Sequence, residues 1–174
     1  MDNEFVIPLN GLAAGENRFF WQAGKEFFEG YDNTEVLDAQ LDIKTLVDKS
    51  GRYIGVDCDI AGWLVVECDR CLDMVDMPVD VQVRLSVKFG DEQASELGQD
   101  ADREVIFVKE DDAELDMSQI VYDYSCLALP MQRTHEPGEC NPETMKYYNT
   151  VQTQDAVEED EEKNPFAALK GMFK

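Results

Sequence analysis

Three cysteines and the only histidine of the chain carry side chains that bind metal ions. Cys68 and Cys71 are separated by two residues in the stretch ECDRC, and His135 and Cys140 by four residues in HEPGEC. Thiolates and imidazoles at such short spacings chelate zinc in pairs, and two pairs complete a tetrahedral site. The sequence therefore predicts that these four residues bind one zinc ion. The two pairs are 63 residues apart, so tertiary structure must bring them together.

Two other interpretations of the cysteine pair stay open from the residues alone. The same C-x-x-C spacing serves thiol–disulfide exchange, where the start of a helix lowers the pKa of the nucleophilic thiol. Here the pair follows a predicted strand and lies among Glu67, Asp69 and Asp73, whose charges are expected to raise the thiol pKa and disfavour redox catalysis. The pair could also be ordinary core thiols, as we expect for Cys58 and Cys126.

The sequence lacks the residues of other familiar catalytic sites. The sequence holds no G-x-S-x-G, H-E-x-x-H, P-loop or G-x-G-x-x-G motif, and a single histidine limits acid–base chemistry. Acidic pairs such as Asp111 and Asp112 are too common in this chain to indicate a Mg²⁺ site. The residues favour a protein that is not an enzyme.

The charge of the chain is strongly negative, with a formal net value of -23. Of 38 acidic and 15 basic residues, six and three lie after residue 150, which leaves residues 1–150 with a net charge of -20. Binding to a phosphate backbone needs clustered lysines and arginines, and the sequence has no such cluster. We therefore expect a basic protein partner and no direct high-affinity contact with nucleic acid. Solubility alone is the alternative explanation of the charge.

Alternation with a period of two residues predicts several β-strands. Apolar residues alternate with polar ones along residues 37–44 and 54–60, which a turn at Lys49–Gly51 joins as an antiparallel hairpin. The same pattern runs along residues 79–89, and a short strand is expected at 104–108. Cys68 and Cys71 therefore lie in a connection between two strands, where side chains can reach a metal or a partner.

The region around residue 120 changes to a helical period. Its apolar residues follow i, i+3, i+4 and i+7 spacing from Met117 to Ala128, which predicts one amphipathic helix. Asp116 and Gln119 resemble a capping box at its start, and Pro130 is expected to end it at Leu129. Nearer the N-terminus, FVIPL and RFFWQ are interpreted as short strands, and GKEFFEGY as a brief helix.

These elements predict an α+β fold. Its main part is an antiparallel β-sheet, which could close into a barrel, with one packed amphipathic helix and a short C-terminal helix. Residues 1–150 are expected to form a single domain, followed by an acidic flexible linker at 151–163 and a docking helix at 164–174. That helix would begin with Asn164 as its cap and Pro165 at its first position.

The location expected from the sequence is the cytoplasm. The N-terminus shows no basic-then-apolar leader, and no apolar run approaches the roughly 20 residues of a membrane-spanning helix. The five cysteines, an odd number without an export signal, are expected to be reduced thiols or metal ligands.

Several of these motifs together resemble the YceD family of large ribosomal RNA subunit accumulation proteins. The resemblance runs from about Leu37 to the end, and its most specific parts are the C-x-R-C-L core and the terminal NPFAAL. It implies a cytosolic bacterial factor needed for normal levels of large-subunit ribosomal RNA, with no established enzymatic activity, and its cysteine pair corresponds to Cys68 and Cys71. Where relatives commonly have a proline this chain has Arg133, so the loop to His135 is expected to run differently.

The resemblance and the charge together give one hypothesis. The protein is a non-enzymatic factor that supports accumulation of large-subunit RNA by binding a basic ribosomal protein or a large-subunit precursor. The residues expected to bind this partner are Arg70 in the cysteine connection and, on the C-terminal helix, Phe166, Leu169 and Phe173. Two alternatives remain. The first is a zinc-dependent or thiol-dependent enzyme that acts on a small substrate, and the second is an acidic mimic of nucleic acid.

Overall fold

A five-stranded sheet is the main element of the computed structural model, which describes residues 5–90, 102–109 and 111–147. The strands of the chain are β1 (Val6–Pro8), β2 (Gly15–Gly24), β3 (Asp38–Ser50), β4 (Tyr53–Glu67), β5 (Met74–Phe89), β6 (Glu104–Val108) and β7 (Glu114–Asp116). The helices are α1 (Lys25–Glu29) and α2 (Ser118–Leu127), with a 3-10 turn at Leu9–Gly11. Residues 142–147 are also helical. The predicted linker 151–163 and C-terminal helix 164–174 lie outside the described residues.

The sheet has the order β2-β3-β4-β5-β6. Its first four strands form an antiparallel meander, and β6 lies parallel to β5. A separate two-stranded sheet pairs β1 with β7. Within the described part of the chain the large sheet is open, with β2 and β6 at its edges, so it does not close into a barrel. The prediction of a mainly antiparallel sheet is confirmed.

The predicted hairpin is present, and β2, β3, β4 and β5 are each longer than expected. β4 runs without interruption through Gly62, and β5 begins at Met74, ahead of Pro78. A proline is tolerated in a strand where its missing N–H faces no partner. β6 pairs only with Leu85 to Phe89, so β5 has a free edge at Pro78 among the residues that the structure describes.

The inner face of the sheet carries the main core. Alternate residues of β3, β4 and β5 are buried there, as the pattern predicts, and Phe28 of α1 and Val121 of α2 pack against them, each 0% exposed. Cys58 belongs to this core, also with 0% exposure, and burial raises the pKa of its thiol. The prediction that Cys58 is a core thiol is confirmed.

The start and end of α2 differ from the prediction. The Asp116 carboxylate accepts a hydrogen bond from the Ser118 backbone N–H at 2.8 Å. A capping box would instead use the N–H of the next residue, Gln119. Gln119 donates its amide N–H to Asp123 at 2.8 Å and does not reach back. The helix ends at Leu127. The side chain of Leu127 is exposed, because the buried face of the helix is the one that carries Val121 and Ser125. The prediction of a capping box was therefore wrong, although the acidic residue Asp116 does lie just before the helix.

None of the helices in the described part of the chain is long and apolar enough to cross a membrane.

Gly62 is a position where only glycine fits. It has a φ of +151°, and a Cβ atom there would lie 2.0 Å from the backbone oxygen of Gln40 on β3. We expect Gly62→Ala to lower the free energy of unfolding by about 3 kcal/mol, because β3 and β4 would have to separate. Chemical denaturation measures this.

The matched control is Gly51→Ala in the β3–β4 turn. Gly51 also has a positive φ, but no atom lies within 4 Å of its added Cβ, so only the backbone cost of about 1 kcal/mol remains. Equal losses in the two variants would contradict the close strand packing at Gly62.

Candidate metal centre

The connection between β4 and β5 is a tight turn that presents two cysteines. In this cysteine turn, residues 68–73, the Cys68 N–H donates to the Asp73 carbonyl at 2.8 Å, and the Leu72 N–H donates to the Cys68 carbonyl at 2.9 Å. Leu72 adopts a φ of 63°, a left-handed conformation that a non-glycine residue takes only when its surroundings require it. The turn directs the side chains of Cys68 and Cys71 inward, with 0% and 3% exposure.

The segment that follows α2 runs beside the cysteine turn. In this histidine segment, residues 130–140, the Arg133 carbonyl accepts a hydrogen bond from the Asp69 N–H at 2.8 Å. The Arg133 N–H in turn donates to the Asp69 carboxylate at 2.7 Å. This pair of hydrogen bonds joins the two segments, so the tertiary structure brings the two pairs of predicted ligands together.

Arg133 is the residue at which the loop to His135 was expected to run differently. A proline there could not donate the N–H that binds Asp69, so the connection uses a feature of this chain. The Arg133 guanidinium also forms ion pairs with Glu35 at 2.8 Å and with Asp69 at 3.9 Å. The path of the loop nevertheless brings His135 to the cysteines.

The four predicted ligands meet at one point. The Sγ atoms of Cys68, Cys71 and Cys140 and a ring nitrogen of His135 all lie within 4.8 Å of one another, and we call them the CCHC cluster. Cys71 Sγ lies 3.4 Å from His135 Nδ1. A tetrahedral zinc ion with bonds of about 2.0–2.3 Å places its ligand atoms roughly 3.5–3.8 Å apart, so small shifts would suffice. The cluster could hold a metal ion.

The imidazole of His135 is oriented by its second nitrogen. Its Nε2 lies 3.0 Å from the Met74 carbonyl oxygen, which can only accept a hydrogen bond. The proton therefore belongs on Nε2, and Nδ1 presents its lone pair to the thiols. A histidine that binds a metal through one nitrogen and a carbonyl through the other is the usual arrangement in metal sites.

The electrostatics of the cluster favour one thiolate. Burial raises the pKa of Cys68, but hydrogen bonds from the backbone N–H groups of Cys71, His135 and Arg70 outweigh it and lower the pKa to about 6. The expectation that neighbouring acids raise this pKa was wrong, because the backbone amides that reach the sulfur have the larger effect. The Cys68 thiolate in turn raises the pKa of His135, and burial raises that of Cys140.

Arg70 contributes to the frame of the site. Its guanidinium donates a hydrogen bond to the backbone carbonyl of His135, which ties the cysteine turn to the histidine segment a second time. Its positive charge also favours the thiolate of Cys140. The predicted contact of Arg70 with a partner stays a prediction.

A small apolar core surrounds the cluster and is separate from the main one. Val66, Val75 and Met77 pack with the cysteines, and Leu129 and Met145 close its sides. The Asn141 side chain accepts a hydrogen bond from the Glu143 N–H at 3.0 Å and starts the helical residues 142–147 that carry Met145. This shell excludes water from the thiols.

Sequence patterns identified the four side chains of the CCHC cluster but missed the groups that position them. The carbonyl of Met74 and the backbone of Arg133 have no residue-type signal, because every residue has a carbonyl and almost every one has an N–H. Asp69 was expected to act only through its charge, whereas its carboxylate accepts the Arg133 backbone N–H.

We expect the thiol of Cys68 to titrate near pH 6 in chelator-treated protein, followed through the ultraviolet absorbance of thiolates. Because folding lowers its pKa from 9.0, its contribution to stability is complete above pH 9 and is lost as the pH falls through about 6. Cys68→Ser should remove the step near pH 6, whereas Cys126→Ser should retain it, because burial raises the pKa of Cys126. An unchanged titration in Cys68→Ser would refute this assignment.

A family model matches much of the chain, from residue 56 in β4 to residue 173, and the match includes the whole CCHC cluster. The model is described as Large ribosomal RNA subunit accumulation protein YceD. No curated protein and no solved structure matches the chain. The match agrees with the resemblance of the cysteine and C-terminal motifs. The chain therefore belongs to the YceD family of large ribosomal RNA subunit accumulation proteins.

Proposed function

We propose that the protein is a non-enzymatic factor that acts in the cytoplasm and supports accumulation of large-subunit ribosomal RNA by binding a basic ribosomal protein or a large-subunit precursor. One zinc ion, bound by the CCHC cluster, would fix the cysteine turn against the histidine segment. Family membership together with an acidic open sheet face is the observation that supports this function most directly.

The donor set of the CCHC cluster fits structural zinc. Three thiols and one imidazole are soft and borderline ligands that zinc prefers over magnesium or calcium. Four protein ligands leave no position for a substrate or a reactive water, which is the difference between structural and catalytic zinc sites. The role of the ion would be to hold two loops together.

The outer face of the sheet supports an encounter with a basic partner. Its alternate positions on β2 to β5 carry nine acidic side chains and four basic ones. The acids are Glu16, Asp38, Asp42, Asp48, Asp57, Asp59, Glu67, Asp76 and Asp80, and the bases are Arg18, Lys44, Arg84 and Lys88. Glutamines on adjacent strands donate hydrogen bonds to Asp42 and Asp59, so these carboxylates are held in place on the outer face.

This charge pattern favours a protein contact over an RNA contact. Carboxylates repel a phosphate backbone, whereas they attract the lysines and arginines of a ribosomal protein and raise its rate of association. Factors of this kind can raise RNA levels by delivering or shielding the ribosomal protein that the RNA needs. The C-terminal residues Phe166, Leu169 and Phe173 would add a second contact on a tether, and Arg70 a third at the cysteine turn.

A thiol-dependent enzyme is the alternative with a specific observation behind it, which is the lowered pKa of Cys68. Its sulfur lies in a side chain with 0% exposure, between a backbone turn and an apolar shell. A catalytic thiol must reach its substrate, so burial counts against this role.

The zinc proposal predicts one zinc ion per chain in the purified full-length protein, measured by elemental analysis. His135→Ala and Cys140→Ser should each weaken zinc binding at least about tenfold and lower the midpoint of thermal unfolding, because each removes a ligand. Cys126→Ser is the matched control and should keep both values. Wild-type protein that holds no zinc and unfolds identically with and without a chelator would disprove the proposal.

The ribosomal proposal predicts that the tagged native protein sediments with large-subunit precursors on a sucrose gradient at low salt and is released at high salt. Asp42→Lys/Asp80→Lys, which reverses two charges on the outer face, should reduce the bound fraction about tenfold. The control Glu114→Lys/Asp123→Lys makes the same charge change on exposed residues elsewhere and should leave binding nearly intact.

A second measurement decides the cellular role. Deletion of the gene should lower the level of mature large-subunit RNA, with the small-subunit RNA as the internal reference. Unchanged precursor and mature large-subunit RNA would reject the proposed function, whatever the gradient shows.

A further inference from the structure

A cleft lies between the end of α2, the cysteine turn and the loop before β3. Two adjoining cavities of about 600 and 320 Å³ form this cleft, which we call the α2 cleft. They share Thr34, Glu35 and Arg133 as lining residues, so they are continuous. The loop that forms one wall is fixed by a hydrogen bond of 3.0 Å from the Asn33 amide to the Tyr122 hydroxyl.

The α2 cleft exposes large apolar side chains. Met131 at one end is 101% exposed and Leu72 at the other is 68% exposed, although both are residues that proteins usually cover. Tyr122, Leu129 and Pro130 also line it. Apolar side chains grouped in a concave site are typical of a surface that binds another segment.

The rim of the α2 cleft is acidic. Among the described residues, four carboxylates and one cation, Arg133, line it. The carboxylates are Asp32, Glu35, Glu67 and Asp69. Arg133 is engaged with Glu35 and Asp69, which leaves the carboxylates in excess. The fitting ligand is a short cationic segment with apolar anchors.

The chain itself supplies a segment of this chemistry. Residues 163–174, KNPFAALKGMFK, contain three lysines and no acid, in a protein that is otherwise strongly acidic. As a helix they would place Phe166, Leu169 and Phe173 on one face. The segment therefore matches the α2 cleft in both charge and apolar character.

The connection is long enough to allow binding within one chain. The last described residue, Tyr147, follows Met145, which packs beside the CCHC cluster, and Cys68 of that cluster lines the α2 cleft. Fifteen residues separate Tyr147 from Lys163. Fully extended they span about 50 Å, and as a coil about 20 Å, so the local concentration of the segment at the cleft would be in the millimolar range.

We propose that residues 163–174 bind in the α2 cleft of their own chain, with Phe166 and Phe173 against its apolar side chains and the lysines against its acidic rim. The inference does not depend on the proposed ribosomal function, because it needs no partner molecule. It does bear on that function, since the segment has the charge and anchors of a basic protein and would occupy one acidic surface until a partner displaces it.

Cys126 is a reporter for this contact. It is a half-buried thiol that lines the α2 cleft and lies outside the CCHC cluster. We expect Phe166→Ala/Phe173→Ala to raise its rate of alkylation by iodoacetamide at least about fivefold in the full-length, metal-bound protein, located by peptide mapping. Met172→Ala, which removes an apolar side chain from another face of the segment, should leave the rate unchanged.

A second variant and two comparisons make the outcome decisive. Lys170→Glu/Lys174→Glu should also expose Cys126, because it reverses the charge that the acidic rim attracts. Alkylation of Cys58, which is 0% exposed, should stay negligible in every variant and so shows that the fold is intact. Equal Cys126 rates in all variants would overturn the proposal. Protection that grows with protein concentration would also overturn it, because a second copy would then be the occupant.

Discussion

The reciprocal hydrogen bonds between Asp69 and the backbone of Arg133 are the interaction on which the site depends. One bond runs from the Asp69 N–H to the Arg133 carbonyl, and the other returns from the Arg133 N–H to the Asp69 carboxylate. They fix the direction of the chain after α2, and two residues later His135 reaches the thiols. Without them the cysteine turn would still form from its own hydrogen bonds, and only the Arg70 and Met74 contacts to His135 would hold the histidine segment against it.

The antiparallel meander fixes the other half of the site in the same way. The register of β4 against β5 is continuous from Ile54 and Val87 to Glu67 and Met74, so the turn that carries the cysteines begins at a defined residue. Gly62 keeps β4 close to β3 along this path. A shift of one residue in that register would turn the buried side chains to the solvent face and move Cys68 away from the apolar shell.

The sequence predicted those parts of the fold that depend on side-chain pattern. Alternation located the long strands and identified Cys58 as a core thiol, and the types of the four ligands identified the CCHC cluster. It did not predict features that depend on backbone geometry or on distant neighbours. The start of β5 ahead of Pro78 depends on how little of β5 is covered by β6, and the lowered pKa of Cys68 depends on amides that any residue could supply. The left-handed Leu72 has no signal in its side chain, because glycine is the residue expected there.

The separation of the two ligand pairs along the chain has a consequence for folding. Cys68 and Cys71 come from one hairpin, whereas His135 and Cys140 follow only after β6, β7 and α2. An unfolded chain can offer a metal ion one chelating pair at a time, because closing so long a loop costs entropy before the second pair arrives. High affinity for an ion would therefore belong to the assembled fold, and a bound ion would add to its stability by binding the native state alone. Metal binding in this chain would then be a late event that follows the long-range pairing of strands.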